Sequence, residues 1–246
     1  MRPDAAVLVA TVRALKVHSG DYKVKPGRKL PAELGDEHLE NLGAGLANLE
    51  AHLANMAAFG VPVVVAINRF PTDTPAEIEL IKSRALAAGA RAAVESFVFE
   101  RGGEGGEDLA AAVIDAAESG ESDFKPIVDP EASVHEKIET LATRVYGASA
   151  VRYAPEALDA LEHIGGTADE RLPVCMAKTQ YSLSHDPTLL GRPTGFEFAV
   201  RELRTLAGAG FCVPLAGEIQ TMPGMGRRAA YKGIDLDADG NITGLS

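Results

Sequence analysis

The sequence predicts an α/β fold built on a parallel sheet, followed by a smaller α+β domain. Three observations point there. The apolar runs AAVLVATV, VPVVVAI and AAVESFVF lack the polar alternation of a half-solvated strand, as expected of strands buried on both faces. Segments of helical period separate them, so residues 1–120 read strand–helix–strand–helix–strand–helix, the right-handed α/β pattern. Finally, 246 residues with 46% apolar and 24% charged side chains suffice for one large domain or two small ones.

The first strand is expected over residues 5–12 and has no lead-in, as though the chain entered in the middle of a sheet. Residues 18–37, punctuated by Gly, Pro and Lys, form a long excursion loop. A helix over about 37–58 carries Leu39, Leu42, Leu46, Leu49, Leu53 and Met56 in steps of three and four. Such a stripe can seed a coiled coil; a single short element ending at Gly60 before a strand favours a crossover helix packed on the sheet. The second strand covers 61–67. Thr74-Pro75-Ala76-Glu77 is a capping box with proline at the first helical position, and its helix runs to about Ala88 before Gly89. A third strand is expected over 92–99, and a helix ends near Glu118.

Composition shifts at residues 120–133, which divides a partial α/β sheet domain, 1–120, from a smaller α+β domain, 121–246. Ser133-Val134-His135-Glu136 caps another helix, ending near Tyr146, and Pro155 opens a short one to about Ile164. Strands are expected at 172–177, 196–203 and 211–217, with a final hairpin around Asp239-Gly240.

The net charge of −11 argues against nucleic-acid or anionic-membrane partners. Cys175 and Cys212 are too few and too separated for a disulfide framework, and each sits in an apolar run that suggests a reduced, core-filling role. With no apolar run of membrane-spanning length and no signal peptide, a soluble cytoplasmic protein is expected.

The search for chemistry starts at VVVAINRFPTDT, 63–74, where a buried-type run stops at polar groups and a proline. Parallel strands deliver side chains to a site at their carboxyl ends in this way. Yet G-x-x-x-x-G-K-[ST] is absent, and the chain has no Gly-Lys pair at all. GGEGG, 102–106, precedes a helix and could face an anion with its amides; it lacks a lysine and carries Glu104, so a tight turn needing positive φ explains it better. Asp235 to Ile242 imitates a calcium loop without its closing glutamate, and an Asp-Gly hairpin accounts for the same residues. His135-Glu136-Lys137-Ile138-Glu139 lacks the second histidine of a zinc helix and reads as an acidic helix start. Phe70 and Phe99 remain, at or beyond the ends of two strands expected to be neighbours. Two rings on one rim can sandwich a flat heterocycle; packing beneath the loops explains them equally well.

Longer stretches are similar to the formate–tetrahydrofolate ligase family: PDAAVLVATVRALK (3–16), GLANLEAHLANMAAFGVPVVVAINRFPTDT (45–74), RGGEGGEDLA (101–110), AKTQYSLSHDPTLLGRPTGF (177–196) and GEIQTMPGM (217–225). The resemblance covers nearly the whole chain but only the carboxyl-terminal half of that family's proteins. It implies the sheet of a P-loop-NTPase-like fold with the phosphate-loop half missing. It implies an enzyme that makes 10-formyltetrahydrofolate from formate, tetrahydrofolate and ATP with magnesium, through formyl phosphate. It places the folate pteridine against the ring of an N-R-F-P motif, here Phe70 with Pro71, and against a tryptophan whose position is Phe99 here. Two further departures are Met222-Pro223-Gly224-Met225-Gly226 for M-P-G-L-P, and Ser184-His185-Asp186-Pro187 for S-D-D-P. The missing lead-in strands should leave an exposed sheet edge and an apolar patch, so an oligomer is expected; the missing half implies a chain inactive without an amino-terminal ligase half or full-length ligase as partner, with none of the cofactors held by this chain alone. The alternative is a non-catalytic remnant that associates with such a ligase.

Overall fold

The computed structural model describes residues 2–24, 29–219, 229–238 and 242–244. Strands β1 (Ala6–Ala10), β2 (Val63–Asn68) and β3 (Ala92–Ser96) form a parallel sheet in the order β1-β2-β3. The middle strand reads as one unbroken buried run because helices cover both its faces. On one face, α1 (Val12–Val17), α2 (Leu39–Ala58) and α3 (Pro75–Ala87) close a core of Leu42, Leu46, Leu49, Leu53, Val63, Val65 and Ile67. Helix α5 (Glu107–Glu118) packs on β2 and β3. The leucine stripe of α2 is therefore a crossover surface: its four central leucines are buried, whereas Leu39 is exposed.

Helix α1 follows directly on the first strand, starting at the last residue of the first apolar run. Thr11 is still extended, and as the N-cap its hydroxyl accepts the Ala14 N–H, so the strand gives way to a helix without a breaker residue. Its packing on α2 is close enough to require glycine: a Cβ on Gly45 would run into the Leu15 carbonyl. Gly45→Ala is expected to cost about 3 kcal/mol, since the obstacle is backbone that cannot rotate away. A lower urea midpoint with an unchanged slope would report it.

The third strand ends three residues before the expected Phe99. Phe97 donates its N–H to the Gly105 carbonyl, and the chain coils into α4 (Val98–Arg101) and the 3₁₀ turn Gly102–Gly106. Both capping boxes form, Thr74 with Glu77 and Ser133 with Glu136.

A second sheet joins β4 (Ala150–Tyr153), parallel to β5 (Glu197–Leu206), with β6 (Phe211–Ala216) antiparallel. Helices α6 (Val134–Thr140) and α7 (Pro155–Ile164) lie on it, around Phe198, Val200 and Cys212. Residues 172–177 reach it only through isolated bridges, Val174 with Cys212 and Ala177 with Leu215. Exposure alternates along residues 172–176, and Cys175 falls on the outer side. It is exposed, so the core-filling role holds for Cys212 alone. Near the carboxyl end β7 (Asp235–Leu236) pairs antiparallel with β8 (Ile242–Thr243), the hairpin expected there. Its Asp239-Gly240 turn and the 222–226 segment lie outside the described residues. No described helix is long and apolar enough to cross a membrane.

Candidate functional site

Because the three strands run parallel, the segments after β1, β2 and β3 emerge at one edge of the sheet. Arg13 lies in the first turn of α1 there. Arg69, Phe70 and Pro71 follow β2, and Phe97 to Phe99 follow β3. Asn68 and Ser96 are register partners, so Phe70 and Phe99 stand two and three residues beyond the same rung. The register thus brings the two residues to the same end of the sheet.

Their surroundings differ. The Phe70 turn is braced from several sides. Pro71 occupies its second position, where a fixed φ favours the bend, and the Asp73 N–H closes it on the Phe70 carbonyl at 3.0 Å. The buried Asp73 carboxylate accepts the Phe70 N–H at 2.8 Å. Burial raises the Asp73 pKa, against the pull of that N–H and of Arg69. Arg69 donates to the Asp73 carbonyl at 3.1 Å and pairs with Glu95, which also binds Lys82 at 2.6 Å. Burial acts to raise the Glu95 pKa, but the two cations outweigh it and hold it below the ordinary carboxylate value. Residues Phe70 and Pro71 are therefore presented by a preformed loop.

The Phe99 ring, by contrast, is 95% exposed and no described residue covers it. The ring that this segment turns inward is Phe97, with the Arg101 guanidinium 4.5 Å and that of Arg69 5.7 Å from its centroid. The glycines serve this packing. A Cβ on Gly105 would strike the Phe97 carbonyl, and Gly102 holds φ at 58°. With Glu104 in the turn and Glu107 and Asp108 at the start of α5, the segment is acidic, and GGEGG forms the tight turn expected of it.

Sequence reasoning missed Arg13. Its guanidinium lies 3.5 Å above the Phe70 ring centroid and covers one face of it. The signal was present, because the residue just past one strand of a parallel sheet shares a rim with those past its neighbour.

A family model described as formate–tetrahydrofolate ligase matches residues 1–246. The chain belongs to the formate–tetrahydrofolate ligase family. It is 53% identical to a formate–tetrahydrofolate ligase of Roseiflexus sp. (strain RS-1), over all of this chain and 43% of that protein. A formate–tetrahydrofolate ligase of Herpetosiphon aurantiacus is 46% identical over 99% of this chain and 43% of its own length. The mitochondrial C-1-tetrahydrofolate synthase of Saccharomyces cerevisiae is likewise 46% identical, over 99% of this chain and 25% of that protein. The chain thus spans less than half the length of these ligase-family relatives.

Proposed function

We propose that this chain is the carboxyl-terminal, folate-binding part of a ligase that forms 10-formyltetrahydrofolate, with residues 1–120 and 121–246 as its two domains. The observation that carries the reading is the braced Phe70-Pro71 turn at the end of the middle strand, in a chain matched by the family model throughout. In this reading the pteridine lies along the Phe70 ring, on the face that Arg13 leaves free or on the one it vacates. Phe99 swings over the other side of the ligand. Its exposed ring on a short helix has room to do so.

Stacking fixes the plane of the folate amine. The formyl group passes from formyl phosphate to that nitrogen, phosphate leaves and the amine gives up its proton. Holding the amine at the acyl carbon lowers the barrier by several kcal/mol of lost freedom. The chain has no G-x-x-x-x-G-K-[ST] motif to cradle the ATP phosphates. The reading therefore assigns ATP, magnesium and the P-loop part of the fold to the amino-terminal partner.

The outer edge of β1 supports a partner of that kind. No described strand pairs with it, and on the β1 face turned away from the core Val7 and Val9 are 44% and 61% exposed. Mixing the chain with an amino-terminal ligase half is expected to restore ATP-dependent synthesis of 10-formyltetrahydrofolate, seen as ADP and product forming in equal amounts. Turnover by the chain alone would refute the dependence on a partner. A stable but inactive complex would favour a non-catalytic protein that associates with full-length ligase, a reading the exposed Phe99 also suits.

A further inference from the structure

A cavity of about 280 Å³ lies between the two sheets' helical layers, away from the Phe70 rim. It is walled by His18, His52, Met56, Phe59, Tyr146 and Lys178. His52 and Met56 belong to the last two turns of α2, with Phe59 as its C-cap, and this end of the helix descends toward the amino ends of the strands. Backbone clamps hold the walls. Asn48 donates to the Gly191 carbonyl at 2.9 Å, and Asn55 to that of Val145 at 3.1 Å. Phe59 stacks on Phe124, and Tyr146 on Phe198, with centroids 6.1 and 5.5 Å apart.

The titratable groups facing the cavity are His18 from α1, His52 from α2, Tyr146 beyond α6 and Lys178 from the 178–183 segment. No described carboxylate lines it. Lys178 donates to the Thr179 carbonyl at 3.0 Å and to that of Ser182, which leaves its third proton free, and its ammonium sits 5.2 Å from the Tyr146 centroid. The His52 ring has no hydrogen-bond partner among the described residues.

We propose that this cavity binds a small organic anion, one carboxylate or phosphate carried on an apolar body. Lys178 and His52 meet the charge, and Met56, Phe59 and Tyr146 hold the body. Electrostatics favour such a ligand. Burial brings the Lys178 pKa down to about 8, and burial together with Lys178 lowers that of His52. Burial disfavours the charged forms, and a bound anion offsets that cost. His18 plays a different part. Its Nδ1 accepts the Gly191 N–H at 3.2 Å, so Nε2 carries the proton and the ring serves as a neutral donor.

The probes are benzoate and phenyl phosphate, which share a ring and differ in the anion, with benzyl alcohol as the neutral control. Histidine ring ¹H–¹⁵N spectra of the full chain are followed through pH. At saturating anion the His52 midpoint is expected to rise by about one unit, while exposed His163 stays near its starting value. His18 should keep its Nε2–H tautomer. Lys178→Met should weaken the anion about tenfold, the equivalent of one unit. His52→Gln serves the same purpose, by calorimetry, should the lysine variant fail to fold. A response to one anion alone identifies the head group. If neither anion moves His52 relative to His163, or benzyl alcohol moves it equally, the proposal is overturned.

Discussion

Replacing Glu77 by alanine is expected to remove about 3–5 kcal/mol of folding stability, read as a large fall in the urea midpoint. Lys16 and Glu77 are 1% and 0% exposed, and their charged atoms lie 2.5 Å apart. The carboxylate also accepts the N–H groups of Thr74 and His38, at 3.1 and 3.2 Å. The ammonium also donates to the Asp36 carbonyl at 2.6 Å and to that of Leu34 at 3.3 Å. One ion pair thus ties α1, the residues before α2 and the start of α3, and removing the carboxylate leaves a buried cation facing only carbonyls. The double variant Lys16→Met/Glu77→Gln discharges both partners and should lose about half as much, because the main cost is an uncompensated charge rather than the missing attraction. The pH dependence has a definite sign. Burial acts to raise the Glu77 pKa, yet Lys16 and the two backbone donors outweigh it and hold it below 4.5. Its contribution is therefore present above about pH 4.5 and is lost as pH falls through the lower folded value. In Glu77→Gln that part of the acid transition should be absent.

Phe70→Ala is expected to weaken tetrahydrofolate about 10- to 100-fold in the reconstituted ligase, the usual worth of one aromatic stacking surface. The expected signature is a higher KM for tetrahydrofolate with the KM for ATP unchanged, since nothing at this rim is assigned to the nucleotide. Phe70→Leu retains apolar area without a flat face and should recover only part of the affinity. Folding should suffer little. The Arg13–Phe70 contact contributes about 0.5–1 kcal/mol, visible as a small drop in Tm. Unchanged tetrahydrofolate affinity in Phe70→Ala would move the pteridine away from this ring.

Phe70 and Phe99 are both legible in the sequence, but what surrounds them is not. A strand's end can be read from where its apolar run stops, and a parallel sheet places successive ends on one rim. That much located the loop at Arg69 to Thr74. Overextending the third strand by three residues had a specific cause. Ser96, Phe97, Val98 and Phe99 continue a β-like run, and only the hydrogen bond from Phe97 to Gly105 turns the chain into a helix. Strand β4 escaped notice because four residues carry almost no periodic signal; it exists through its pairing with β5. Cys175 was misplaced for a similar reason. An apolar run suggested burial, and isolated bridges set which side of the segment faces out.

Local chemistry by itself determined the helix starts at Thr74 and Ser133, the buried middle strand, the crossover role of the leucine stripe and the family to which this chain belongs. The first three depend on residues a few positions apart, and the family on stretches spread over nearly the whole chain; both are written directly in the sequence. Tertiary structure alone decided that Arg13 covers Phe70, that Phe97 rather than Phe99 turns inward, and that His18, His52 and Lys178 surround one cavity. Such contacts join groups dozens to more than a hundred residues apart, as Asn48 joins Gly191. Their energies depend on distance in space, about which a one-dimensional pattern says nothing until the sheets and helices have packed.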